Sequence, residues 1–175
     1  MLRHKRIFHI IGVVFIMLIL FFVFGTARYR SMKTGNIGFI AFEKKLMQAS
    51  AAKSEIDISK ITDFNWDECY VFPPYFPSKM VYEKVGTEWT TAKTYIEFLI
   101  SHSTENDTLN DGEFLMVFKK GNKAIRSRRY SINKLPAIFK LDNYKFTRNN
   151  SKFLVNPSKQ YNDGKVKELS LKNVE

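Results

Sequence analysis

The residue types that carry most enzyme and metal chemistry are scarce in this 175-residue chain. It contains three histidines and one cysteine, which are His4, His9, His102 and Cys69. A His/Cys metal site needs three or four converging ligands, and this set is too small to build one. A single cysteine also excludes an intramolecular disulfide. We therefore expect neither a metal site nor a disulfide framework.

The acidic cluster of Asp63, Asp67 and Glu68 is the other place where a site could form. A calcium loop needs regularly spaced oxygen ligands and a turn glycine, and this segment has neither. Asp63 and Asp67 are expected to cap turns or to pair with a basic strand. His102 lies among serines without the orienting group and oxyanion site that nucleophilic catalysis needs. No nucleotide-binding, metalloprotease or serine-hydrolase motif occurs, so we expect no catalytic residue, no cofactor and no enzymatic activity.

A dense run of aromatic residues follows position 63 and could form either a ligand platform or part of the core. Aromatic side chains dominate protein cores, and Trp and Tyr carry polar groups that fix their orientation. The core interpretation is favoured, and we expect a structural role for the motif. Its residues are Phe64, Trp66, Asp67, Tyr70, Phe72, Pro74 and Tyr75.

Charge is divided unevenly along the chain. Residues 39–118 contain 7 Lys and Arg against 13 Asp and Glu, whereas residues 119–175 contain 15 against 4. The basic part could attract phospholipid headgroups, an anionic polymer or an acidic protein, or could be a solvated face that balances the acidic part. Nucleic acid fits the charge but is not expected, because no nucleic-acid-binding motif occurs. The candidate basic patch comprises Lys119, Lys120, Lys123, Arg126, Arg128 and Arg129.

A long apolar segment lies near the N-terminus, before the residues described above, where residues 7–24 read IFHIIGVVFIMLILFFVF. A helix of this length rises about 27 Å, close to the roughly 30 Å of a bilayer's hydrocarbon core. We predict a transmembrane signal anchor over residues 7–27, a basic cytoplasmic tail over 1–6 and a linker over 28–36. The short basic tail favours an N-in/C-out orientation, although the flanking positive charges are nearly balanced.

A cleaved signal peptide is the alternative, because Gly25-Thr26-Ala27 has the pattern of a cleavage site. Against cleavage, the apolar run exceeds the usual 7–15 residues of a signal peptide. The basic Arg28 would also follow the cut directly. The uncleaved anchor is the favoured interpretation.

The pattern after the anchor predicts one α+β domain over residues 37–155, with an antiparallel sheet of about five or six strands and two helices. The helices are expected over 37–53 and 78–85. A strand at 69–72 is apolar on both faces and should be central, and a further strand is expected over 94–100. Gly121-Asn122 and Asn149-Asn150 are expected to form hairpin turns. Residues 156–175 are polar, so a flexible extracytoplasmic tail is expected there.

The spacing Ile58-x-x-Ile61-Thr62-x-Phe64-x-Trp66-Asp67-x-x-Tyr70-x-Phe72-x-Pro74-Tyr75 resembles that of small bacterial envelope proteins. These are membrane-anchored or lipoprotein-like and of unassigned function. The resemblance would cover residues 37–155 and implies an extracytoplasmic location, with no known activity. This chain departs from the family in having a transmembrane segment in place of a lipidated cysteine.

Together these patterns predict a non-enzymatic, membrane-tethered binding or accessory protein of the bacterial envelope, whose partner is another envelope protein. One specific version is neutralisation of an envelope-acting toxin, in the manner of anchored immunity proteins. The alternative is direct binding of anionic lipid or envelope polymer through the basic C-terminal third.

Overall fold

The structure is a computed structural model that describes residues 2–35, 38–108, 110–158 and 165–172, with side chains described from residue 10 onward. These residues form an α+β fold of the predicted class, with an N-terminal apolar helix followed by a mixed domain. The helices are α1 (Leu2–Met32), α2 (Phe39–Ala52), α3 (Ile58–Ile61), α4 (Ser78–Val85) and α5 (Tyr95–Ser101). The strands are β1 (Glu55–Asp57), β2 (Glu68–Phe72), β3 (Glu113–Lys120), β4 (Lys123–Ser131), β5 (Ala137–Lys140), β6 (Lys145–Thr147), β7 (Lys152–Pro157) and β8 (Lys167–Leu171).

Helix α1 is longer than the predicted anchor, because it continues through Met32 and so includes most of the predicted linker. Its segment Ile10–Met32 is long and apolar enough to cross a membrane by length and composition. The large apolar side chains from Ile10 to Phe24 are 47–71% exposed. The side chains of the predicted basic tail over residues 1–6 lie outside the described part of the chain.

The strands form two four-stranded sheets, instead of the single sheet that we predicted. The first sheet has the order β1-β7-β8-β5, in which β5 and β8 run parallel. The second has the order β4-β3-β2-β6 and is antiparallel. Strands β1, β5 and β6 have three or four residues each, too few for an alternating pattern to reveal them.

Strand β2 is central, as predicted, because it pairs with β3 on one side and β6 on the other. Cys69 and Val71 face the main core, which lies between the two sheets and α2. Tyr70 and Phe72 face a second core under α4, together with the fully buried Trp89. The helix predicted over 37–53 is α2, and its residues Phe39, Phe42, Leu46 and Ala49 are buried.

The predicted strand over 94–100 is wrong, because this segment is helix α5. Thr94 accepts a hydrogen bond from Glu97 N at 3.1 Å, and the Glu97 carboxylate accepts one from Lys93 N at 2.8 Å. This exchange is close to a capping box, which satisfies the backbone donors at the start of a helix. The local sequence Thr94-x-x-Glu97 carried that signal, but the run of bulky residues after it resembles a strand.

The predicted flexible tail over 156–175 is also wrong for its described part. Strand β7 extends to Pro157, and β8 lies between β7 and β5 with Leu169 fully buried. The predicted hairpin at Asn149-Asn150 does not form either, because β6 and β7 belong to different sheets. The hairpin at Gly121-Asn122 does form between β3 and β4, with Gly121 at φ +53°. Residues 159–164 and 173–175 of the predicted tail lie outside the described part.

Candidate binding surfaces

The end of α1 is joined to the domain by backbone pairing. Thr34 N donates to Thr90 O at 2.8 Å, and Thr90 N donates to Met32 O at 2.9 Å. Thr34 Oγ1 also donates to Ala124 O at 2.6 Å, at the edge strand β4. These bonds fix the direction of the apolar helix relative to the second sheet.

Aromatic side chains fill the space between α1 and α5. The Tyr29 ring is 6.1 Å from that of Tyr95, and its hydroxyl donates to Ala92 O at 3.0 Å. The Tyr95 ring in turn meets Phe22 of α1 edge-on at 5.6 Å. A Cβ atom at Gly25 would overlap the Tyr95 hydroxyl, so a glycine in α1 is what permits this close approach.

Glu105 holds the segment to which α1 is paired. Its carboxylate accepts hydrogen bonds from the hydroxyls of Thr90 and Thr91 and from Thr91 N. On the same side, Arg28 of α1 forms an ion pair with Glu88 at 2.9 Å. The junction between helix and domain therefore contains several polar contacts, which could not be predicted from the sequence because their partners lie far apart in the chain.

Most of the aromatic motif lies in the two cores. Trp66 is fully buried, and its Nε1 donates to Thr62 Oγ1 at 2.9 Å. Its ring meets Phe118 and Phe146 edge-on, at 5.2 and 5.7 Å. Phe64 packs against this core and is partly buried. With Tyr70 and Phe72 in the second core, the motif does not form an exposed aromatic platform.

The polar member of the motif holds a turn. Asp67 is exposed, and its Oδ2 accepts a hydrogen bond from Gly121 N at 2.7 Å, at the β3–β4 turn. Asp67 N donates to Lys119 O at 2.8 Å, which ties the start of β2 to the end of β3. At the other end of the motif Pro74 is half-buried, and Tyr75 is 65% exposed with φ +60°.

Two residues of the basic patch form ion pairs with acidic residues of the same domain. Lys119 lies 3.7 Å from Glu68, and Arg128 Nε lies 3.0 Å from Glu43 Oε1. Glu68 also accepts a hydrogen bond from Lys145 Nζ at 2.8 Å. That hydrogen bond outweighs burial and holds the pKa of Glu68 below its usual value. These cations balance acidic groups of the first half of the domain.

The other members of the basic patch divide into two kinds. Arg129 donates to Glu105 O at 3.0 Å, and the Arg126 guanidinium lies 5.3 Å from the centre of the Phe64 ring. Each therefore has a contact with its own domain. The remaining two are exposed on either side of the β3–β4 turn: Lys120 and Lys123.

A cavity of about 380 Å³ lies between the two sheets and was not identified from the sequence. Cavities of about 300–1,000 Å³ lined mostly by apolar side chains are typical ligand or side-chain receptors. Its walls come from separate segments, so in the sequence each residue looks like ordinary core. The apolar walls include Val71, Phe114, Ile138, Phe139, Leu141 and Tyr144.

One wall of this cavity is held in an unusual backbone conformation. Tyr144 has φ +58°, which costs energy for a residue other than glycine. Its carbonyl accepts a hydrogen bond from Val71 N at 2.7 Å, and its ring stacks at 6.0 Å on Phe72. The second sheet therefore fixes the position of the Tyr144 ring.

The described residues include neither a cluster of metal-binding side chains nor a reactive thiol. No group of three or more His, Cys, Asp or Glu side chains that could hold a metal ion occurs among them. Cys69 is fully buried, and burial raises the pKa of its thiol well above the usual value. A thiol of this kind is unreactive, since the thiolate is the nucleophilic form.

Comparison with known proteins adds no relative. No protein-family model, curated protein or solved structure matches this chain.

Proposed function

We propose that the chain is a single-pass membrane protein of the bacterial envelope, with its N-terminus in the cytoplasm and its domain on the extracytoplasmic side. The observation that carries the proposal is α1, whose side chains from Ile10 to Phe24 stay exposed although the helix is bonded to a folded domain. Apolar surface of this extent is strongly unfavourable in water, and a bilayer removes it from water. The basic residues Arg3, Lys5 and Arg6 before the apolar run support the orientation.

In this proposal the domain works by binding another envelope protein and has no catalytic role. The cavity between the sheets is the receptor for an apolar side chain of that partner, because a few deeply buried anchors supply most of the energy of an interface. The anchor confines both proteins to one membrane surface, so they meet in two dimensions. Neutralisation of an envelope-acting toxin, in the manner of anchored immunity proteins, is one specific form of this proposal.

The test is crosslinking and purification of the full-length protein from membranes, with variants inside and outside the cavity. Ile138→Lys places a charge in the cavity wall, and Leu154→Lys makes the comparable change on β7, where Leu154 is 41% exposed. We expect the first variant to lose the crosslinked partner and the second to retain it. Equal capture by both variants, with unchanged thermal midpoints, would contradict a partner site in the cavity.

The exposed pair Lys120 and Lys123 favours a second function, the binding of anionic lipid or polymer by the basic third of the chain. Attraction between exposed charges is screened by salt, with a Debye length of about 8 Å at physiological ionic strength. Full-length protein in neutral vesicles should then recruit phosphatidylglycerol vesicles at low salt and release them at high salt. Charge reversal at both lysines should abolish this recruitment, and recruitment that is insensitive to salt and to charge reversal would exclude the second function.

A further inference from the structure

We infer that helix α5 is a second membrane contact, whose exposed apolar face rests in the lipid interface beside the anchor. This face consists of Ile96, Leu99 and Ile100. The inference rests on the proposed membrane-spanning role of α1 and adds to it a defined orientation of the domain on the bilayer.

The first argument is the distribution of side chains around α5. Phe98 is 5% exposed and packs with Tyr29, whereas Ile96, Leu99 and Ile100 are 67%, 55% and 78% exposed. Residues three and four apart lie on one side of a helix, so these three form a single stripe. A cluster of large aliphatic side chains in water is unfavourable and typically marks an interaction surface.

The second argument is the depth of this stripe relative to the anchor. Tyr95, at the start of α5, contacts Phe22, which lies within the uncharged apolar run that ends at Phe24. Two residues of helix correspond to about 3 Å, so α5 begins close to the level at which that run ends. The exposed apolar surface of α1 thus continues through Phe22 and Tyr95 onto α5. A bilayer that covers α1 up to Phe24 must also reach the first turn of α5.

The third argument is the polar chemistry around the stripe. The charged residue of α5 itself is Glu97, whose carboxylate is engaged by Lys93 N at the start of the helix. Lys33 Nζ donates to Lys93 O at 3.2 Å, and Arg28 also lies at this junction. Tyrosine together with basic residues is typical of the membrane–water interface, where aromatic rings sit among headgroups and long cationic side chains reach toward phosphate.

Lipid is a better occupant of the stripe than a protein partner, because the stripe is continuous with the surface that the bilayer covers. Two attachments, the span and the stripe, would hold the domain in one tilt relative to the membrane. The same geometry would keep the cavity between the sheets at a constant height above the bilayer.

The experiment measures the depth of single labels on the full-length protein in phosphatidylglycerol/phosphatidylethanolamine vesicles. Cys69 is fully buried, so we expect it to react little with the label, and the parent chain measures this background labelling. New cysteines are introduced one at a time. Ile96→Cys and Ile100→Cys report on α5, Phe15→Cys on the span, and Leu154→Cys on an exposed site of the first sheet. A nitroxide at each site is tested for collision with lipid-soluble oxygen and with a water-soluble nickel chelate.

The measured quantity is the ratio of the collision rate with oxygen to that with the chelate. We expect this ratio to be at least about threefold higher for the labels at Ile96 and Ile100 than for the label at Leu154, and higher still for the label at Phe15. If Phe15 is lipid-exposed but both α5 labels behave like Leu154, this inference is overturned while the proposed span stands. If the label at Phe15 is itself in water, the proposed membrane function fails. Protection of the α5 labels that disappears as protein is diluted in the vesicles would assign the stripe to a second copy of the chain and overturn the lipid contact.

Discussion

At the residue scale, Trp66 combines full burial with a satisfied polar group, because its indole nitrogen donates to Thr62. We expect Trp66→Ala to lower the free energy of unfolding by about 3–5 kcal/mol through lost burial and the resulting cavity. Lys123→Ala, at an exposed position, should change it by less than about 0.5 kcal/mol. Denaturant titration of the full-length protein in micelles measures both. An unchanged transition for Trp66→Ala would mean that the aromatic motif is exposed in solution.

Arg128 shows why a basic patch read from sequence can be a structural feature. Glu43 Oε1 is buried, and Arg128 Nε lies 3.0 Å from it. Arg128→Ala should lower the free energy of unfolding by about 1 kcal/mol, because a partly buried carboxylate loses its counter-ion. Adding Glu43→Gln to this variant should recover part of the loss. If Arg128→Ala is as mild as Lys123→Ala and Glu43→Gln has no compensating effect, the ion pair contributes nothing to folding.

Glu68 should contribute a pH dependence to stability. Its pKa is lowered in the folded domain, mainly by the hydrogen bond with Lys145, from a usual value of 4.5. At pH values between the folded and unfolded pKa of Glu68, the folded state therefore binds fewer protons than the unfolded state. The resulting stabilisation is complete above the unfolded pKa and is lost as pH falls through the folded pKa.

Glu68→Gln should accordingly flatten the acid side of the stability profile below about pH 5. Glu83→Gln makes the same change at an exposed position of α4 and serves as the matched control. Thermal midpoints measured between pH 3 and 7 test this. Parallel profiles for the parent and Glu68→Gln would refute the contribution of this carboxylate.

At the element scale, β8 contributes more to the fold than its composition indicates. It lies between β7 and β5, and Leu169 is fully buried in the main core. Leu169→Ala should therefore lower the free energy of unfolding by about 2–5 kcal/mol. Leu154→Ala, at a 41% exposed position of the neighbouring β7, should cost far less. Equal small effects in the same denaturant titration would mean that the C-terminal segment is not part of the core.

The elements that could be predicted from sequence are those defined by local pattern. Strand β2 has apolar residues on both faces, the β3–β4 hairpin has a Gly-Asn turn, and α4 ends at Gly86 with φ +73°. Each of these signals lies within a few residues. The apolar run of α1 is the same kind of signal at greater length.

The features that could not be predicted depend on contacts between distant segments. Strand β6 joins the second sheet by pairing with β2, and β7 joins the first sheet by pairing with β1 and β8. No local sequence pattern indicates these pairings. The sequence predicts a strand where α5 forms, because a short run of bulky residues fits the periodicity of either element. The cavity and the α1 junction bring together residues up to 90 positions apart, as Thr34 and Ala124 show. The pairing of Arg128 with Glu43 is equally non-local.

At the scale of the whole molecule, the apolar helix and the domain form one unit. The hydrogen bonds of Thr34 and Thr90 and the Tyr29–Tyr95 contact leave little freedom between them. If α1 spans a membrane as proposed, this attachment would hold the domain close to the bilayer, where the proposed partner in the same membrane could reach the cavity. The proposed binding role and the proposed second membrane contact both require that the span is retained, without cleavage after Ala27, and that it has the proposed orientation.

Alkaline phosphatase fused after Glu175 tests the membrane topology most directly, paired with a cytoplasmic fluorescent reporter at the same site in the same bacterial host. A retained anchor with the domain outside predicts an active phosphatase, a dark fluorescent fusion, and membrane-bound protein that resists extraction by alkaline carbonate. A fluorescent fusion with an inactive phosphatase would contradict the orientation, and a soluble active species that begins at Arg28 would contradict the anchor itself.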